Sequence, residues 1–294
     1  MSIYYLGAIV GSGLALMAGG PLIDAIGRVD FSSWSLLAGL KPWQLTFIAA
    51  ALPGLLVLAL LAVIREPPRL GAGGGVEPVA RTVAFLAANR RTFICHNIGF
   101  AVFTIWAYGS SAWIPTYFVR TFGWTMSEVG LSYGPISLVF GIGGIVAGGW
   151  LATRANLRDP AGAYDVLIWS AALTALPGVI APLAPTATSA VMLLGVLAFA
   201  AAVPTGIALA VIQQVTPNRY RGQVAALYLL VSNLIGLTLG PALVGLFTDR
   251  VFGAETAVGQ SMALLGATAL PLGAAILALG RAAYRRSMAA LPPS

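Results

Sequence analysis

Seven residues spaced three and four positions apart are the strongest candidates for ligand chemistry in this sequence. They recur along one apolar stretch as His96, Gly99, Phe103, Trp106, Ser110, Trp113 and Tyr117. This spacing places them on one face of a helix, and aromatic faces with a few polar tips are typical of a mostly apolar ligand pocket. We therefore predict that the last five contact a bound molecule. Packing of the same rings against neighbouring helices is the alternative.

Asn233 and His96 are polar residues that also lie within apolar stretches. A buried amide in such a stretch needs a partner, so Asn233 either bonds to another helix or contacts the substrate. His96 can take up a proton near neutral pH, and a structural role beside Asn97 explains it as well. Both interpretations stay open for each residue.

The sequence lacks the residues that an enzyme reaction would need. The sequence has one His and one Cys, and its acidic residues fall at the ends of apolar stretches. No metal cluster, phosphate loop or nucleophile–base pair can be assembled from these positions. We therefore predict no catalytic residue, no metal and no cofactor. Cys95 has no second cysteine for an internal disulfide.

The composition indicates that a lipid bilayer surrounds the chain. Apolar residues make up 59% of the 294 residues and charged residues only 9%, whereas a soluble domain carries about 25% charged residues. The formal net charge of +7 does not favour nucleic-acid binding, because the arginines are spread over separate loops instead of one face.

Eight apolar segments are long enough, at about 20 residues, to cross a hydrocarbon core of ~30 Å as helices. They cover about residues 3–23, 44–64, 94–118, 129–152, 165–184, 189–213, 224–248 and 260–283. If they cross in alternate directions, 12 of the 16 basic residues fall on the side of both termini. The prediction is an all-α integral membrane protein with eight transmembrane helices, multi-pass in the cell's inner (plasma) membrane, with both termini cytoplasmic.

A repeated pattern connects the first two segments with the last two. A shift of 225 residues places Gly11 on Gly236 and Asp24 on Asp249. Internal symmetry of this kind is common in transporters. If segments one and two correspond to segments seven and eight, four helices that should precede them are missing. We therefore expect a six-plus-six protein that has lost its first four helices.

The longest connection on the predicted cytoplasmic side divides the chain after its second span. Gly71–Gly75 is predicted to be a flexible linker, and Glu77–Pro78 to begin a short helix along the membrane face. Residues 1–66 are then the last two helices of an incomplete N-terminal bundle. Residues 67–92 are a cytoplasmic linker, and residues 93–294 are a complete C-terminal bundle of six helices.

Three groups of residues resemble the major facilitator superfamily, and within it the Spinster-like transporters. The first is Pro217 to Gln223, followed by Tyr228, Asn233, Gly236, Gly240, Pro241 and Gly245. The second is Trp113-Ile114-Pro115 through Arg120 to Gly123, and the third is Arg65-Glu66-Pro67-Pro68. The resemblance extends over essentially the whole chain, which would correspond to helices five to twelve of that family.

The resemblance also implies residues with conformational roles. Gly149 to Arg154 look like the family's cytoplasmic loop motif, but Thr153 stands where the family has an Asp that locks one closed state. Small-residue ridges would let helices approach closely and slide, and the resemblance implies that these helices meet across the two halves of the protein. These ridges are Gly7, Gly11, Ala15 and Gly19, then Gly141, Gly144 and Gly148, and then Gly236 and Gly240. The conformational set is Gly149, Arg154, Arg219, Arg221, Gly236, Gly240 and Pro241.

By this resemblance the chain is a secondary transporter that binds its substrate at the membrane midplane and works by alternating access. The uncharged aromatic stripe favours a small organic, amphipathic or lipid-like substrate. A coupling ion, either a proton or sodium, would need a carboxylate from the missing helices, because no predicted span is charged near its middle. Without such a carboxylate the protein would be a facilitator. The alternative is a membrane fragment that binds or scaffolds without transport.

Overall fold

The computed structural model describes residues 2–29, 39–63 and 77–290, and this part of the chain is helical with no strand. Its α-helices are α1 (Ser2–Arg28), α2 (Pro42–Val63), α3 (Val79–Ala88), α4 (Arg90–Phe122), α5 (Met126–Asn156), α6 (Gly162–Leu173), α7 (Ala175–Ile180), α8 (Ala187–Gln214), α9 (Arg221–Leu246) and α10 (Val258–Ala289). The motif at residues 65–68, the predicted linker at residues 71–75 and the predicted boundary after residue 66 lie outside the described residues.

Seven helical segments in these ranges are long and apolar enough to cross a membrane, and each overlaps a predicted span. The remaining predicted span is α4, which has 33 residues. α4 is less apolar than these seven segments, because it contains three arginines, His96 and Asn97 in addition to several Trp, Tyr, Ser and Pro side chains. The all-helical membrane class is confirmed, and the count of eight spans stays a prediction.

The span predicted at residues 165–184 is divided in the structure. α6 ends at Leu173, and α7 follows after Thr174. Pro177 has no N–H group and cannot bond to the Leu173 carbonyl, so the helical ladder is interrupted here. The Thr174 hydroxyl lies 2.8 Å from the Ser170 carbonyl and 3.1 Å from the Ala200 carbonyl. The second contact ties the interruption to α8.

The long helices form two sets of close neighbours. α4 packs along α9 and α10, and α5 packs along α1 and α8. α2 packs on α1, and most of its apolar side chains are exposed, as expected for a helix that faces lipid. The turn between α4 and α5 is sharp because Gly123 adopts the left-handed conformation (φ 70°). Thr125 and Glu128 then form a capping box that starts α5.

Glycines on α1 and α5 bring the two backbones into direct contact. A Cβ atom at Gly20 would overlap the carbonyl of Met126, and one at Gly130 would overlap the carbonyl of Leu16. The close approach predicted for the small-residue ridge on α1 is not seen among the described residues and stays a prediction. A Cβ at Gly7, Gly11 or Gly19 meets no atom within 4 Å in the described part of the chain, because a different face of α1, carrying Gly13 and Gly20, meets α5.

The short helix predicted after Glu77–Pro78 is α3, and it connects two parts of the bundle. Its Val79 and Val83 side chains are exposed. On its inner face, the Phe85 ring stacks on Tyr220 with centroids 5.0 Å apart. The Gln223 side-chain amide donates a 2.7 Å hydrogen bond to the Glu77 carbonyl. α3 is thereby docked on the α8–α9 connection.

Candidate functional site

A cavity of about 500 Å³ lies between α1, α4, α5 and α8. Apolar side chains form much of its wall, among them Leu16 from α1, Ile114 from α4 and Leu197 from α8. α4 reaches the cavity with its middle turns because Pro115 and the small residues Ser110 and Ser111 leave space there. The volume is in the range of roughly 300–1,000 Å³ that is usual for small-molecule sites.

Hydroxyl groups supply the polar part of the wall. Ser137 and Thr205 already donate to carbonyl oxygens of their own helices, at 2.8 Å in each case. The Ser110 hydroxyl borders the cavity and is buried without a hydrogen-bond partner in the described part of the chain, and the Tyr133 side chain lines the same wall. No residue that lines the cavity carries a charge at neutral pH. The wall therefore suits an uncharged, largely apolar surface with a few hydrogen-bonding groups.

The structure brings two of the six predicted substrate-binding residues to this cavity, Trp106 and Ser110. The Trp106 ring also reaches α7 and α10, and its indole nitrogen lies close to Gly266. The next ring along the stripe, Phe103, is 1% exposed and packs between Phe100 and Trp106. The role of each in substrate binding stays a prediction.

The other predicted residues contact neighbouring helices. The Trp113 indole nitrogen donates a 3.0 Å hydrogen bond to the Pro241 carbonyl on α9. Tyr117 is buried close to Gly259 at the start of α10, and beside Phe118 and Phe122 of its own helix. Asn233 accepts a hydrogen bond from Tyr108. The predicted stripe is continuous, but α9 and α10 cover most of its length, so only its middle faces open space.

His96 belongs to a separate aromatic cluster deep in the bundle. Its side chain is 1% exposed, and its ring lies 5.6 Å from Tyr228 and 6.2 Å from Tyr164. The backbone of Ala208 lies beside the ring, although neither ring nitrogen makes a well-oriented hydrogen bond among the described residues. His96 does not line the cavity, so a substrate held there does not touch it directly.

Sequence reasoning missed Tyr133 and the contribution of α1. Tyr133 lies beside Gly134 and Pro135 on α5, and no repeating pattern singled it out. α1 contributes Ser12, Gly13, Ala15 and Leu16 to the wall. The available signal was the small residue at Gly13, which lets α1 approach α5 closely. The role of Gly13 in this contact is recognisable only when the register of α1 against α5 is known.

The residues predicted to have conformational roles lie at helix ends and close crossings. Arg154 lies over the Trp150 ring at 5.5 Å, and Arg219 lies over Tyr220 at 4.7 Å. Arg221 donates a 3.1 Å hydrogen bond to the Thr216 carbonyl. Gly149 accepts a hydrogen bond from the Thr153 hydroxyl. These contacts are local, and their part in conformational change stays a prediction.

Gly236 and Gly240 lie where α9 crosses α4. A Cβ at Gly240 would overlap the carbonyl of Ile105, and one at Gly236 would lie 2.7 Å from Thr104 and Tyr108. Gly144 similarly meets Phe199 and Ala202 on α8. The close approach predicted for these glycines is present. The helices that they join belong to the predicted six-helix bundle, and Gly13, Gly20 and Gly130 form the contact with α1.

The family model of the Major Facilitator Superfamily matches residues 1–241. Because the match covers most of the chain, this protein belongs to the Major Facilitator Superfamily, a class of membrane transporters and not of enzymes. It is a multi-pass membrane protein. The assignment confirms the resemblance found in the sequence.

Two relatives and two crystal structures make the similarity more specific. The chain is 27% identical over 260 residues to an MFS-type efflux pump of Mycolicibacterium smegmatis (strain ATCC 700084 / mc(2)155). This match covers 86% of this chain and 59% of the pump. It is 28% identical over 275 residues to Protein spinster homolog 3 of Danio rerio. This second match covers 85% of this chain and 51% of that protein. The chain thus spans little more than half the length of these relatives.

The similar structures are of a bacterial homologue of the human lysosomal transporter Spinster in its inward-facing conformation. The unoccupied form matches with a TM-score of 0.68 and 23% identity, covering 98% of this chain and 70% of that one. The occupied form matches with a TM-score of 0.68 and 22% identity, covering 98% and 69%. These similarities establish the fold.

Proposed function

We propose that this protein is a secondary transporter that moves a small organic, amphipathic or lipid-like molecule by alternating access. The observation that carries the proposal is the cavity between α1 on one side and α4, α5 and α8 on the other. In a transporter of two bundles, a substrate site lies where the bundles meet. The chain is shorter than its relatives, so the proposal concerns the part that this sequence contributes.

The proposed substrate class follows from the side chains that line the cavity. Leu16, Ile114 and Leu197 offer apolar surface, while Ser110 offers a hydroxyl group without a partner among the described residues and Tyr133 offers a second hydroxyl group. An amphipathic molecule would bury its apolar part against the first set and hydrogen-bond to the second. A coupling proton or sodium ion would bind elsewhere, because the lining residues carry no charge at neutral pH.

Alternating access would use the contact between α1 and α5. We assign α1 and α2 to one bundle and the spans from α4 to α10 to the other, with both termini on the cytoplasmic side of the inner membrane. Gly20 and Gly130 let the two backbones touch, while the Leu138 side chain packs against Gly13 and the Met17 side chain against Gly134. Rocking of α1 on α5 would therefore shift these two side chains and the hydrogen bond from Ser127 to Asp24.

The experiment is uptake of a radiolabelled lysophosphatidylcholine into proteoliposomes, with sucrose as a polar comparison. Ser111→Phe places a ring in the cavity from an exposed position. It should lower uptake by roughly tenfold, the effect of about 1.4 kcal/mol in binding. The matched control is Leu173→Phe, because Leu173 is 69% exposed on α6 and lies outside the cavity. Equal uptake by both variants would refute the cavity assignment.

Binding without transport is the competing function. It predicts that the lysolipid quenches cavity tryptophan fluorescence in wild-type protein and not in Ser111→Phe, while no radiolabel accumulates in either. Accumulation by the wild type above protein-free vesicles excludes this function.

A further inference from the structure

A second pocket, of about 350 Å³, lies where the beginning of α4 meets the end of α10. Arg90, Arg91 and Arg286 line it, and all three are exposed. None of them forms an ion pair with an acidic residue in the described part of the chain. By contrast, Arg281 and Arg285 on α10 both pair with aspartates. The pocket therefore concentrates positive charge that the described residues do not neutralise.

Hydrogen bonds fix the floor of this basic pocket. Ser287 donates to the Asn89 side-chain oxygen at 2.8 Å, and that oxygen can only accept. The Ser287 proton is then used, so Thr92 must donate in the 2.9 Å bond between the two hydroxyls. Asn89 also donates to the Phe85 carbonyl at 3.1 Å. This chain of bonds joins α3, α4 and α10 and fixes the helix ends from which the three arginines extend.

The pocket lies at the level where the apolar helices leave the membrane. α3 leads into α4 at Asn89, and its Val79 and Val83 are 68% and 56% exposed, as expected for a helix on a membrane surface. α10 ends nearby at Ala289, after a long apolar segment. Phospholipid headgroups occupy this level of a bilayer.

We propose that the basic pocket binds a phosphate group, carried by an anionic phospholipid or free in solution. Guanidinium groups match the oxygens of phosphate with paired N–H donors, and three of them can surround one group. Basic clusters at the ends of membrane helices attract anionic headgroups. This site is separate from the cavity, and it does not depend on transport.

The test uses the full chain, purified in detergent and stripped of lipid. Calorimetric titrations compare short-chain phosphatidylglycerol, short-chain phosphatidylcholine and inorganic phosphate. Arg90→Gln/Arg286→Gln removes two charges from the pocket. Arg158→Gln/Arg250→Gln removes two exposed charges elsewhere that have no ion pair in the described ranges. Thermal unfolding checks that both variants are folded.

Phosphatidylglycerol should bind the wild type and the control variant alike and the pocket variant roughly 30-fold more weakly, since each arginine near an anionic headgroup contributes about fivefold. Tight phosphatidylglycerol binding without phosphate binding identifies the lipid as the source. Binding of inorganic phosphate that competes with the lipid identifies the phosphate group alone. The proposal fails if neither ligand distinguishes the wild type from the pocket variant, or if the control variant loses as much affinity.

Discussion

The Tyr108 hydroxyl on α4 donates a 2.5 Å hydrogen bond to the side-chain oxygen of Asn233 on α9. Two turns further along α9, the backbone of Gly240 packs against Gly109, the residue that follows Tyr108 on α4. α4 and α9 are therefore joined by a polar contact and a backbone contact at neighbouring levels. The bond gives Asn233 a partner on another helix, one of the two roles that the sequence left open. Asn233 does not line the cavity.

We expect Tyr108→Phe and Asn233→Leu each to lower the free energy of unfolding. Hydrogen bonds between membrane helices contribute about 0.6 kcal/mol on average and at most about 1.7 kcal/mol. A double-mutant cycle, measured by unfolding in mixed detergent micelles, should give a coupling energy in this range. Substrate affinity in Tyr108→Phe should equal that of the wild type. A lost affinity with no coupling energy would favour substrate contact by Asn233.

Gly144 and Gly143 are adjacent on α5 and differ in their surroundings. A Cβ at Gly144 would overlap the Phe199 carbonyl and lie 2.7 Å from Ala202, while one at Gly143 makes an ordinary 3.5 Å contact with the Phe199 ring. Gly144→Ala should therefore cost about 1–3 kcal/mol of stability through overpacking. Gly143→Ala should be neutral or stabilising, by up to about 1 kcal/mol, because Ala favours helix. Thermal unfolding of the two variants checks this, and equal melting temperatures would exclude a tight α5–α8 contact.

Asp165 on α6 holds α10 through a two-point ion pair with Arg281. The guanidinium donates from Nε at 2.5 Å and from its terminal nitrogen at 2.6 Å. Because Arg281 is 52% exposed, we expect Asp165→Asn to cost about 1 kcal/mol or less at low salt, and less still at high salt. Unfolding in low and high salt measures this dependence.

The control for the ion pair is Asp249→Asn, at an exposed aspartate without an ion pair in the described part of the chain. It should show no salt-dependent loss. The reversed pair Asp165→Arg/Arg281→Asp should recover part of the stability lost in Asp165→Arg alone. No recovery would contradict a direct pairing.

Phe85 is the residue through which α3 docks on the α8–α9 connection. Its ring stacks on Tyr220 at 5.0 Å and meets the edge of Phe93 at 5.5 Å. Phe85→Ala should release α3 and raise amide hydrogen exchange across residues 79–88, because few other contacts hold this helix. Val83→Ala, at an exposed position of the same helix, should leave the exchange unchanged. Equal protection in both variants would contradict the role of the stacked pair.

Much of the fold was predictable because a segment that crosses a bilayer must be apolar and must form its backbone hydrogen bonds within its own helix. Each predicted span overlaps a helix, and α3 follows Pro78 as expected. The interruption at Thr174 was not predicted, because prolines are tolerated in most membrane helices. Pro53 lies inside an unbroken α2, whereas Pro177 follows a break. At this break the Thr174 hydroxyl also donates to the Ala200 carbonyl of α8, a contact that the sequence does not reveal.

The candidate site was predictable only in part. The spacing of Trp106 and Ser110 placed them on one helical face, and both line the cavity. Trp113 and Tyr117 share that face, but they contact α9 and the start of α10. Periodicity gives the direction of a side chain around its own helix. Periodicity does not show which neighbouring helix packs against that side chain at each height along the helix.

The sequence by itself determined the class of this protein. A chain of 59% apolar and 9% charged residues must bury its backbone polar groups inside helices that cross a bilayer. Its motifs placed it in a family of transporters. Only the tertiary structure decided that α1 meets α5 through Gly13 and Gly20, that Tyr133 borders the cavity, and that Arg90 and Arg286 share a pocket. These relationships join residues that are far apart in the chain, and the relative rotation and height of the packed helices fix them.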